Sequence, residues 1–306
     1  MRCLLASLLL VVVGCVESGK PIRPARYFHD EPLFDIWAAE PQVGTLLLID
    51  RHTSYGIDEI LMARFEPSGD RGVYGLVAEE GDCRLYSARP SCGASCSWEE
   101  QCVGGVCVPF PVFVPVGDIT IDGLGDRRTL VHDSLSPEMY AGDSDGTADG
   151  MMSSGATITV TAEGSDQLPG FTATASGVSA LDSDIEPADI LSLPRADDVE
   201  LTWSGPEEGA RVRLVFRTAE FDHYQISWEK LVCDAPDRGS IRVPGSLIEQ
   251  LPEMTLPRDR SSGGANAGGE PAVASGLIRY RATDVDTGAG RVEVVAASEI
   301  LFWALH

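Results

Sequence analysis

The chain has 306 residues, with 23 Lys and Arg against 47 Asp and Glu, a formal charge of −24 with histidine neutral. That balance argues against a nucleic-acid partner, because phosphate binding needs a clustered basic surface that so acidic a chain lacks. A hydrophobic fraction of 43% and a charged fraction of 23% exclude global disorder and allow one large core or two smaller ones.

Residues 1–20 read MRCLLASLLLVVVGCVESGK: one early basic residue, Arg2, an uncharged apolar stretch from Cys3 to Gly14, then Cys15 and a polar flank. A helix needs roughly 20 residues to cross a hydrocarbon core of about 30 Å. The stretch is too short for that and reads as a signal peptide over 1–14. Val12, Val13 and Gly14 directly before Cys15 resemble a bacterial lipobox. The resemblance implies that Cys15 receives a diacylglycerol, that the preceding peptide is removed, and that the new amino group is acylated. Each buried methylene contributes roughly 0.8 kcal/mol, so two or three acyl chains anchor the protein firmly. Val16, where many lipoproteins held at the inner membrane have Asp, implies the outer membrane. The expected address is the cell envelope, extracytoplasmic, with the membrane as a partner through the lipid.

Residues 15–32, with Pro21, Pro24 and Pro32, form a lipidated tether. An N-terminal β region over 33–87 follows, with strands expected at VGTLLLID (43–50), IDEILMARF (57–65), GVYGLVAEE (72–80) and CRLYS (83–87). IDEILMARF also fits a helical period at Ile57, Ile60, Leu61 and Arg64, but its setting favours a strand. Residues 88–115 hold a Cys-rich module and PFPVFVP (109–115), whose prolines mark a stiff connector.

From 116 to 306 the pattern is two-periodic, in GATITVTAEG (155–164), DVELTWSG (198–205), ARVRLVFRT (210–218), LIRYRATD (277–284) and RVEVVAAS (291–298). Such alternation puts one face in a core and the other, including Arg211, Arg213 and Arg217, in water, as antiparallel sheets do. Turn-rich links at 142–150, 204–209 and 234–239 separate the runs. The expected fold class is all-β: a small N-terminal strand region, a disulfide-rich segment and a C-terminal antiparallel β-sandwich of about seven to nine strands. A short helix is expected in GSLIEQLPE (245–253), capped by Ser246, with Leu247, Ile248 and Leu251 covering an open end of the sandwich. PRDRSSGGANAGGEP (257–271) reads as a loop, and Trp203 and Trp228 follow the strand alternation into the core, whereas Trp98 sits among cysteines.

With Cys3 in the signal peptide and Cys15 lipidated, six cysteines remain as disulfide candidates: Cys83, Cys92, Cys96, Cys102, Cys107 and Cys233. Six thiols allow 15 pairings. The first five form an odd cluster, so at least one must reach Cys233 or stay free. A metal site is the alternative, but the gaps of eight, three, five and four residues are not those of zinc ribbons and no histidine lies nearby. Outside the cytosol, a disulfide staple is the favoured reading. The succession of lipobox, strand-rich head, CRLYS, PSC, GGVCVP, Pro-rich link, VGDITIDGL, GATITVTAEG, LTWSG and LVCDAPDRGSIRVPGSLIEQLP is similar to a set of predicted surface lipoproteins of myxobacteria. The likeness is most specific over 228–252. It implies an envelope address and β architecture and carries over no catalytic residue.

No G-x-S-x-G elbow, Gly-rich phosphate loop or dinucleotide fingerprint occurs. His29, His52, His132, His223 and His306 show no metal-binding spacing. The acidic doublets Glu79–Glu80, Glu99–Glu100, Asp197–Asp198 and Glu207–Glu208 read as surface charge, although a glycosidase needs only two carboxylates at a suitable separation. Asp143, Asp145 and Asp149 in GDSDGTADG offer alternate hard oxygen ligands, so calcium is the one cofactor with a candidate site. The run departs from an EF-hand at Ala141 and Met152, and the other reading is a plain acidic turn. The expected function is that of a non-catalytic envelope lipoprotein with a binding or structural task, its partner an envelope protein or glycan. The alternatives are a polysaccharide-acting enzyme or carbohydrate-binding accessory protein, and a subunit of an envelope assembly.

Overall fold

The runs VGTLLLI (43–49) and VEVVAA (292–297) carry apolar residues on both sides of an extended backbone. A strand of that kind is stable only where both faces of a sheet are covered. In the computed structural model of the chain these two runs lie side by side at the middle of the largest sheet. The structure describes residues 42–65, 74–88, 100–103, 106–109, 113–132, 140–141, 150–222, 225–251 and 275–305.

The described part is almost entirely strand. In chain order come β1 (Gln42–Thr53), β2 (Gly56–Phe65), β3 (Tyr74–Glu80), β4 (Cys83–Ala88), β5 (Glu100–Val103) and β6 (Val106–Pro109). Then follow β7 (Ile119–Leu124), β8 (Asp126–His132), β9 (Tyr140–Ala141), β10 (Thr157–Gly164), β11 (Pro169–Ser176), β12 (Asp182–Ser183) and β13 (Ile190–Ser192). The last are β14 (Val199–Ser204), β15 (Arg211–Asp222), β16 (Gln225–Pro236), β17 (Ser240–Val243), helix α1 (Gly245–Ile248), β18 (Ser275–Asp286) and β19 (Arg291–Leu305). The strand order of the main sheet is β11-β10-β7-β8-β9-β2-β1-β19-β18-β15-β16-β4-β3, with β13 beside the end of β19. β12-β14-β17 and β5-β6 form two smaller sheets.

The main sheet folds back on itself, since β11 at one end of its strand order packs across β18 and β19. One core fills that fold, joining Leu46, Leu48, Phe65 and Val294 to Ile121, Val160 and Phe171. A second core lies between β4-β16-β15-β18-β19 and the β12-β14-β17 sheet, around Leu85, Leu214, Phe216, Trp203, Val243 and Phe302. Leu247, Ile248 and Leu251 of the α1 segment close this second core, as expected. Ser246 does not cap the helix; Pro244 holds the N-cap position, and the Ser246 hydroxyl bonds the Glu80 carboxylate instead.

The all-β expectation holds, with three differences. Strands β1 to β4 are not a separate N-terminal region: β1 pairs with β19 and β4 with β16, so the 33–87 segment and the 116–306 segment share one sheet. The pairing is mixed, since β1 and β13 both run parallel to β19. Alternation also fails to put the second face in water. Arg213, Arg217, Ile278, Glu293, Val295 and Ala297 are all buried, because the reverse face of the sheet carries a third apolar cluster with Leu47, Ile49 and Tyr86. On β10 and β14, by contrast, the expected alternation of buried and open positions is observed.

The proline-marked connector is more than a spacer. Val114 and Val116 enter the first core, the Val114 amide donates to the Phe65 carbonyl at 3.1 Å, and the Val116 amide donates to the Tyr140 hydroxyl at 2.6 Å. Burial raises the Tyr140 phenol above its usual range, partly opposed by that bond from Val116. Replacing Tyr140 with Phe leaves a buried amide without an acceptor, so a loss of about 1–3 kcal/mol is expected from urea unfolding midpoints. A change within experimental error would show that the connector is not held by this bond.

Candidate functional site

The two cores on one face of the main sheet are separated by a row of polar side chains. Asp50 on β1 stands opposite Glu59 on β2 and Ser298 on β19, and Ser298 opposite Arg279 on β18. Residues directly opposite in a sheet share a face. Glu59, Asp50 and Arg279 are each met by a group from the covering layer. Glu59 pairs with Arg128 of β8 at 3.1 Å. The Asp50 carboxylate accepts from the Met151 and Met152 amides at 2.9 and 3.1 Å. Gly150 must be glycine here: its φ is +75°, and a Cβ would lie 2.8 Å from Asp50 Oδ2. Burial raises the Asp50 carboxyl above the usual range, with the two amides opposing it and Glu59 adding to it.

Arg279 is the most heavily engaged member. Its Nε donates to Asp237 at 2.8 Å, Nη1 to the Ser179 hydroxyl at 2.8 Å and Nη2 to the Gly205 carbonyl at 2.9 Å. Asp237 also accepts from Trp203 Nε1 at 2.6 Å, so the expected core tryptophan keeps its polar edge satisfied.

Beside this row, towards the β1–β2 turn, lies an open groove of about 490 Å³, lined by the β1–β2 hairpin and by residues 181–187. Its lining is mostly polar, with Asp182, Glu186, Thr53 and Ser54 beside half-buried Ile57, while Leu181, Ile185 and Ile300 reach it only as edges of the second core. His52 lines it, half-buried, with Nε2 3.2 Å from the Ser298 hydroxyl. Burial lowers the His52 imidazole below its usual range, opposed by the Asp50 charge. A Ser–His pair invites comparison with an activated nucleophile. Ser298 is 1% exposed, however, so its oxygen is packed against the imidazole and not presented to the groove. A second groove of about 450 Å³, lined by Glu80, Asp82, Arg238, Ser240 and Arg242 among others, has mixed charge, and Arg242 is already bonded to Asp198 at 3.0 Å.

The reverse face of the sheet carries its own charged row. Arg51, Glu299, Ile278, Arg213 and Asp234 lie opposite one another across β1, β19, β18, β15 and β16. Asp234 accepts from Arg211 Nε, Arg213 Nε and the Tyr280 hydroxyl, each at 2.6 Å. Burial alone would raise the Asp234 carboxyl, but Arg213, Tyr280 and Arg211 together hold it below the usual carboxylate range. The Tyr280 phenol is pushed well up by burial and by Asp234, against the pull of Arg213. Arg51 Nε meets Glu299 Oε2 at 2.7 Å.

Of the residues singled out in the sequence, Cys83 and Cys233 are joined as a disulfide between the opposed positions of β4 and β16. Cys107 is also disulfide-bonded, and Cys102 stands opposite it in the β5–β6 register. Cys15 with the 15–32 tether, Cys92, Cys96, Trp98, the calcium candidates Asp143, Asp145 and Asp149, and the 257–271 loop lie outside the described residues. Among the described residues no cluster of three or more His, Cys, Asp or Glu is placed to hold a metal ion, and no helix is long and apolar enough to cross a membrane. The groove was not foreseen. Its sides come from residues more than 100 positions apart, and only the short polar hairpin 52–57 gave a local signal.

No protein-family model matches the chain. No curated protein matches it. Among solved structures it is similar to an I-band fragment from titin at 6% identity, over 88% of this chain and 100% of that one, with a TM-score of 0.14 that carries no argument.

Proposed function

We propose that the chain is a lipid-anchored protein of the bacterial cell envelope, a non-catalytic all-β scaffold with a binding or structural task outside the cytosol. The observation that carries this reading is the Cys83–Cys233 bridge. It joins two fully buried residues 150 positions apart, and stable bridges of this kind belong to oxidising compartments. The Val-Val-Gly-Cys run at 12–15 supports a lipid tether, and the residue after it supports the outer membrane. The net charge of −24 supports a body held away from anionic lipid, since like charges repel over a screening length of about 8 Å at physiological salt.

The test is fatty-acid labelling in a host with lipoprotein-processing enzymes. The wild-type chain takes up labelled palmitate, a Cys15→Ala variant does not, and inhibition of lipoprotein signal peptidase leaves a longer precursor. Undiminished labelling of the Cys15→Ala variant overturns the anchor.

A further inference from the structure

We draw no further inference here: the strongest candidate, the apolar cluster on the reverse face of the main sheet around Leu47, Val215, Val232, Ile278 and Val295, is built entirely from residues of that sheet, and nothing among the described residues shows what covers it.

Discussion

Removing the Cys83–Cys233 bridge with Cys83→Ala and Cys233→Ala lowers the thermal midpoint by about 10 °C. The expected size comes from the unfolded chain. Closing a loop of 150 residues removes conformational entropy worth about 5 kcal/mol in the chain-entropy account, and measured losses run to about 2–5 kcal/mol. For a protein of this size each kcal/mol moves the midpoint by roughly 2–4 °C. Two buried sulfur-sized voids add a smaller cavity penalty in the second core, where both cysteines sit among Leu85, Leu214 and Leu231. Calorimetry on the double variant measures the effect, and a shift under about 2 °C would mean that the loop is already closed by other contacts. Because both sulfurs are fully buried, the native bridge resists exchange with a soluble reductant until the sheet opens between β4 and β16.

Replacing Asp234 with Ala costs about 3–5 kcal/mol at neutral pH, because Arg213, 3% exposed, and the neighbouring Arg211 lose their shared carboxylate, and the Tyr280 hydroxyl loses its acceptor. Its pH dependence separates this effect from a simple packing loss. The folded-state pKa of Asp234 lies below the unfolded value near 3.9, so its contribution is fully present above that value and is lost as pH falls through the folded pKa. The gap between wild type and variant is therefore widest from pH 5 upward and narrows below about pH 4. Urea unfolding at pH 7 and pH 3 measures it. An equal gap at both pH values would mean that the ion pairs contribute nothing beyond the volume of the side chain.

The one-faced strands were legible in the sequence and the two-faced ones were not. GATITVTAEG and VELTWS bury every second residue as their pattern says. In RVRLVFR the same pattern misled, because arginine at alternate positions reads as a water face. Here Asp234 from the next strand pairs with both Arg211 and Arg213, and Arg213 is buried with it. No local pattern announces a partner carboxylate that lies across a hairpin. Cysteine parity pointed at Cys233 but could not choose its partner among five; the register that sets β4 beside β16 chooses Cys83. The groove has the least local signature of all. Asp182 and Glu186 look like any hydrophilic loop until β19 brings Ile300 and the β1–β2 hairpin beneath them.

The parallel pairing of β1 with β19 also governs the order in which the protein assembles. β1 has only β2 as a neighbour until residues 291–305 join it from the far end of the chain. Contacts of such sequence separation slow folding, since most of the loop entropy must be lost before they form. A chain emerging N-terminus first, whether from a ribosome or a membrane pore, therefore carries Leu46 to Ile49 as an open apolar edge for nearly its whole passage. Its completion is a late, cooperative event set by the arrival of β19, and until then a holding chaperone has a defined strand to protect.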